Sequence, residues 1–216
     1  MSASPAPDED VRADLTQQIR EAILGGKYAP NQRLIEADIS DEYGVSRAAV
    51  RTALLHLSGE GLVERLPNKG ARVRSISVAE AVEIVEVRIG LESLCARKAA
   101  ELITDAEADE LRQLRAEIIE SVETGQLLQY SRLNHQLDER LREISAHATA
   151  VQLLERLRAQ SARHQFRLAL HPGRAAVSAP EHAAIIDAVV AHDPDGAEAA
   201  TRHHLEGIIA VLHQLE

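Results

Sequence analysis

The chain is 216 residues long, 45% apolar and 27% charged, with a formal net charge of −10, which allows one or two domains with substantial cores and excludes a chain disordered throughout. No apolar run approaches the ~20 residues needed to span a bilayer, and the opening MSASPAPDED lacks the basic and apolar plan of a secretory leader. The single Cys95 excludes a disulfide framework and a cysteine zinc cluster, so a cytoplasmic protein is expected.

Residues 1–10 read as a disordered tail. From Val11 to Leu24, the positions Val11, Leu15, Ile19, Ala22 and Ile23 recur at three- and four-residue steps, one face of a helix. Gly25-Gly26 ends it. A second helix is predicted over 35–43, closed by Gly44, and a third over 47–58, capped by Ser46 and burying Val50, Leu54 and Leu57. The period then changes. Residues 61–66 and 71–74 alternate around the turn Pro67-Asn68-Lys69-Gly70, the pattern of a β-hairpin. A helix, a helix-turn-helix and a basic hairpin outline a winged helix-turn-helix over 11–76. From about residue 77 the chain reads as helix only, with spans 78–103, 105–124, 126–146, 149–168, 178–192 and 195–215, an antiparallel six-helix bundle. The fold class expected is mainly α: the winged domain with its small hairpin, then an all-helical domain over 77–216.

The whole-chain charge hides a local one. Between Gly44 and Ile76, six cations face two acids, a net of +4 on an otherwise acidic protein, the footprint of a site for a polyanion. Arg47 and Arg51, at i and i+4 near the start of a helix narrow enough for a major groove, are positioned to read base edges, and Lys69 and Arg72 on the hairpin to meet phosphates. An Arg pair at this spacing is also what an ordinary solvated helix face carries, and spacing alone leaves both readings open.

Nine of the ten histidines lie after residue 130. His182 shares a stripe with Ile185, Ile186 and Val189, and His204 shares one with Ala197, Ala200, Ile208 and Val211, so both rings are expected inside the bundle. Asn134 and Asp138, at i and i+4 beside the row Leu133–Leu137–Leu141–Ile144, can face the same interior. Two imidazoles, a carboxylate and an amide oxygen form a donor set for a divalent cation; two core histidines satisfied by hydrogen bonds are the competing reading. Arg88 either pairs with Glu92 one turn on or offers its planar fork to a carboxylate ligand, and Arg167 is a second candidate for that task.

The stretch LIEADISDEYGVSRAAVRTALLHLSGEGLVERLPNKGARV resembles the winged helix-turn-helix of GntR-family transcription regulators. It does so through Leu34, Glu36, Gly44-Val45-Ser46-Arg47, Val50-Arg51, Ala53-Leu54, Leu57, Glu60-Gly61-Leu62-Val63 and Gly70. The helical half resembles the FadR-type effector-binding (FCD) domain in its six-helix, VanR-like form, through Arg88 with Glu92, Ser145-Ala146-His147, Glu181-His182 and His204-Leu205. The resemblance implies that Ser46, Arg47, Arg51, Asn68, Lys69 and Gly70 touch a palindromic operator, and that the protein is a homodimer. It places Ala37 where some relatives use an Arg. It also implies a metal held by an Asp, a His four residues on, and two further His. Here those positions carry Asn134, Asp138, His182 and His204, so the first pair departs from the pattern, and zinc, nickel, manganese or iron(II) would suit what remains. A registration through Ser131 and His135 spoils the match of Leu137 and Leu141. The reading reached is a repressor released or recruited by a small carboxylate effector. A metal-dependent enzyme and a direct metal sensor are the competing functions.

Overall fold

The computed structural model describes the backbone of residues 7–66, 70–169 and 171–215, and the side chains of residues 15–66, 70–158, 160, 161, 168 and 171–214. The chain divides into two compact units between Ile76 and Ser77, with the stretch Arg158–Ala162 grouped with the first.

The first unit opens with α1 (Pro7–Leu24), which begins four residues before the expected Val11 and takes in residues 7–10 of the predicted tail. A two-residue strand, β1 (Arg33–Leu34), leads into α2 (Glu36–Tyr43) and α3 (Arg47–Gly59). Gly44, at φ 66°, closes α2 in the left-handed conformation that glycine adopts without penalty. The Ser46 side chain accepts from the Ala49 amide and starts α3. Strands β2 (Val63–Leu66) and β3 (Gly70–Val73) form the hairpin, and β1 adds to its open edge in the order β1-β3-β2, all antiparallel. Sequence reasoning missed β1, because two residues are too short for any alternation to show. Leu34 pairs with Ala71, and Val63 with Val73. Those four residues join Leu15, Ile19, Ile39, Val50, Leu54 and Leu57 in one apolar core. Gly70, at φ +82°, is required twice over: a Cβ there would stand 2.6 Å from the Leu34 carbonyl oxygen.

The second unit is helical throughout: α4 (Val78–Leu102), α5 (Asp105–Glu123), α6 (Leu127–Ser145), α7 (Ala148–Ala169), α8 (Arg174–Val190) and α9 (Pro194–Leu212), with a final 3-10 turn over His213–Leu215. Thr104 and Glu107 build a reciprocal capping box at the start of α5. Ala and Leu from α4, α5, α6, α8 and α9 make the main core, and α7 joins α4 through Ala150 and Leu154 against Cys95. The sequence expectation failed at α8, which starts at Arg174 rather than 178 and runs through Pro180. A proline in the second turn forfeits one intrahelical bond, yet the helix continues because Ala175, Ala179 and Ile186 are buried on one face. The earlier start places Arg174 two turns before Glu181 on the same side of α8.

Candidate functional site

In the first unit, Arg47 projects from the first turn of α3 and is exposed. Arg51, one turn on, keeps 62% of its side chain in solvent while donating from Nε and Nη2 to both oxygens of Glu36, at 3.1 and 2.8 Å. The Arg51 guanidinium holds the Glu36 carboxyl below the usual carboxylate range. Arg72 pairs with Glu64 across the β2–β3 ladder. The hairpin-tip residues Asn68 and Lys69 lie outside the described residues, whereas Gly70 sits in the close β1–β3 approach. The two helix cations therefore differ. Arg51 is aimed by a bidentate partner, and Arg47 stands beside it on the same face.

In the second unit, the histidine pair is where the stripes place it. His182 is 2% exposed and His204 8%. Their Nε2 atoms are 3.2 Å apart, with ring centroids 4.3 Å apart and planes tilted by 52°. A straight N–H···N bond between two imidazoles would hold the centroids about 5.5 Å apart. Here at least one ring nitrogen is turned off the line joining them. The outer nitrogens are both engaged: His182 Nδ1 lies 3.3 Å from the Tyr130 hydroxyl, and His204 Nδ1 lies 2.7 Å from Glu181 Oε2. Arg174 donates from Nη2 to that same oxygen at 2.8 Å. Burial keeps the His182 ring well below its ordinary pKa, with the neighbouring His204 acting in the same sense. Burial pushes the Tyr130 phenol up to about 12. At Glu181, burial alone would raise the carboxyl, but the hydrogen bond from His204 and the Arg174 guanidinium bring it below its ordinary value.

Beside the pair is a cavity of about 20 Å³, lined among others by Glu92, Asp138, Arg142, His182, Thr201 and His204. That is room for one water or one ion. On α6, Tyr130, Asn134, Asp138 and Arg142 follow at steps of four, so they form one row. The row touches His182 at Tyr130 and the cavity at Asp138 and Arg142. Asn134 lies between these points, and its Oδ1 is buried with no hydrogen-bond partner. Among the described residues, no three of His, Cys, Asp and Glu converge as a metal site. Of the implied set, two imidazole nitrogens meet, Asp138 borders the same space, and an orphaned amide oxygen sits one turn away. Two Nε2 atoms bound to one ion at 2.0–2.1 Å in tetrahedral geometry would be about 3.3 Å apart, close to the 3.2 Å found. The donor types and the nitrogen spacing fit a divalent cation, but two rings aimed at one ion would hold their centroids about 5 Å apart rather than 4.3 Å, so one ring turns to bind.

Arg88 pairs with Glu92 one turn on. It is buried and donates from Nε to Glu92 at 2.8 Å, and it is Glu92 that borders the cavity. The side chain of Arg167 lies outside the described residues. His192, His203 and His213 lie off these stripes and are exposed. Sequence reasoning missed Tyr130, Arg142 and Arg174, and used Glu181 only as part of the family likeness. The four-residue steps from Asn134 and Asp138 back to Tyr130 and on to Arg142 were readable. Arg174 was hidden by the misplaced start of α8.

Residues 12–73 match the family of bacterial regulatory proteins called gntR, and residues 83–207 match the FCD domain. The HTH-type transcriptional repressor RspR of Escherichia coli is 27% identical over 209 residues, covering 97% of this chain and 92% of the relative. An uncharacterised HTH-type regulator, BphR of Paraburkholderia xenovorans, is 28% identical over 228 residues, 98% of this chain and 90% of the relative. Among solved structures, E. coli McbR/YncC superposes with a TM-score of 0.77 at 21% identity, over 94% of this chain and 97% of that one. A GntR-type regulator from Rhodococcus sp. RHA1 gives 0.74 at 20%, over 96% and 99%. No helix among the described residues is long and apolar enough to cross a membrane. The chain belongs to the GntR family of bacterial regulatory proteins, a DNA-binding transcription regulator with an FCD domain rather than an enzyme.

Proposed function

We propose that the protein is a cytoplasmic, homodimeric repressor whose affinity for a palindromic operator is set by a small organic acid taken into the helical domain together with a divalent cation. The observation that carries the ligand half of this reading is the enclosed His182–His204 pair beside Asp138 and Arg142. Ser46, Arg47 and Arg51, with Asn68, Lys69 and Gly70 of the wing, are the operator contacts proposed. Phosphate contacts would position the domain, and Arg47 and Arg51 would specify bases. A relative named as a repressor supports the sign of regulation.

Asn134, Asp138, His182 and His204 are the residues that would hold the cation, with zinc the first candidate and nickel, manganese or iron(II) also suited. Bound there, the ion supplies a positive centre with open positions for a carboxylate. Arg88 and Arg167 are the cations proposed for the rest of an acid, and Arg142, on the cavity wall, is a third. A cavity of about 20 Å³ is far below the ~300 Å³ at which small-molecule sites begin. An organic acid therefore fits only an opened arrangement of the helices. A ligand that fits one arrangement and not the other shifts the equilibrium between them. Two winged domains bound to half-sites one helical turn apart would sense that shift as a change of fit.

The test is fluorescence anisotropy on the protein's own upstream region, with and without a panel of dicarboxylates and 2-hydroxy acids. Retention in low salt and release by one acid is the expected result. No binding to that DNA at 50 mM salt overturns the operator assignment. Binding that responds to added metal alone, and to no acid, converts the reading to a metal sensor.

A further inference from the structure

We infer that Arg174, Glu181 and Gly207 form a positioning shell behind His204, whose task is to present that ring's Nε2 lone pair to a divalent cation. The inference rests on the metal part of the function proposed above and deepens it.

In the neutral form that a metal requires, the His204 imidazole carries one N–H. The carboxylate oxygen 2.7 Å from His204 Nδ1 claims it, because Glu181 has no proton to offer in return when ionised. Nε2 is then left as an acceptor, facing His182 and the cavity. Glu181 is itself fixed by Arg174 Nη2 at 2.8 Å on the same oxygen, and that guanidinium also reaches the His204 carbonyl oxygen at 3.5 Å. The ring is thus gripped at its outer nitrogen and at its own backbone. Metal-binding histidines are held in this way, with a carboxylate on the outer nitrogen.

The shell is costly to build, which separates it from a chance surface pair. Both charged side chains are almost wholly buried, at 8% and 11% exposure. Burying such a pair is no route to stability, since apolar residues of equal size do as well or better. Gly207 adds a second cost, because glycine inside a helix is less favourable than alanine. The missing Cβ has a specific neighbour: placed there, it would stand 3.2 Å from Arg174 Nη1 and 3.3 Å from Glu181 Oε1. The glycine leaves the notch in α9 that the ion pair occupies. Two separate concessions therefore serve one hydrogen bond to one imidazole. His182, the other ring of the pair, has the neutral Tyr130 hydroxyl at its outer nitrogen, whereas His204 has a carboxylate there.

The experiment uses the full-length protein, stripped with chelator and titrated with Zn²⁺ by calorimetry and with Co²⁺ by visible absorption. Wild type should bind one ion per chain, and a wild type that binds none overturns the inference together with the metal assignment. Glu181→Gln should lower Zn²⁺ affinity 10- to 100-fold and alter the Co²⁺ band intensity, with Glu181→Asp restoring part of both. Because Glu181→Gln strands a buried Arg174, the double variant Arg174→Met with Glu181→Gln serves as the folded control. It should keep a native circular dichroism spectrum and still bind weakly. Gly207→Ala, which keeps both charges but crowds the notch, should weaken binding by a smaller factor. Wild-type affinity and an unchanged Co²⁺ spectrum in the folded double variant overturn the positioning role while leaving the metal assignment standing.

Discussion

The two units put their polar chemistry in opposite places. In the winged unit a compact apolar core pushes the cations outward, so that Arg47 and Arg51 stand on the free face of α3. In the helical unit the charged and imidazole groups are drawn in, with His182, His204, Arg174 and Arg88 all under 10% exposed. An outward set suits a large polyanion that brings its own surface, while an inward set suits a small ligand that is surrounded. The difference also governs energy. Surface pairs such as Arg51–Glu36 are screened by salt and exchange partners freely, whereas a buried set loses heavily when one member is removed.

Substitutions can break this contrast at either end. The largest effect is expected on DNA binding: Arg47→Ala and Arg51→Ala should each weaken operator affinity about 10- to 100-fold by anisotropy, with thermal midpoints unchanged. Equal affinity in both variants would remove α3 as the reading helix. Next is Gly70→Ala, where a Cβ meets the Leu34 carbonyl and φ is positive. Loss of about 1–3 kcal/mol of winged-domain stability is expected in denaturant melts.

A pH series on metal-free protein sharpens the other half. Burial depresses the folded pKa of His182, so below about pH 6.5 the unfolded chain takes up a proton that the folded chain refuses. Stability attributable to this ring is fully present above that pH. It falls by about 1.4 kcal/mol per unit as pH drops toward the depressed folded value. Glu181, also depressed, adds loss of the same sign only below the ordinary carboxylate range. Chemical denaturation at pH 7.5, 6.0 and 5.0 measures this, and His182→Phe should flatten the upper part of the profile. The smallest effect belongs to Glu36→Gln. It should leave stability unaltered and raise operator affinity a few-fold at low salt, because Arg51 no longer has an internal carboxylate to leave.

Much of this was legible in the residues. Ser46 and Gly44 marked the ends of α3 and α2 through their capping chemistry. The stripes through Ile185–Val189 and Ala197–Val211 placed His182 and His204 inside, since a 3.6-residue period is a statement about faces. Other features depend on contacts that the pattern does not carry. Spacing alone allowed Arg88 to meet Glu92 one turn on, and the two are paired in the packed helix. The link from Arg174 through Glu181 to His204 spans two helices and thirty residues. Two-residue β1 exists only because Gly70 lets β3 come close to it.

The tightness of the space beside the histidines has a kinetic consequence. A metabolite too bulky for that space must wait for the helices to breathe, so its capture speed is capped by their opening frequency rather than by collisions. In stopped-flow mixing, the relaxation rate should climb with concentration and then level off at a plateau shared by every acid of that size, whatever its affinity.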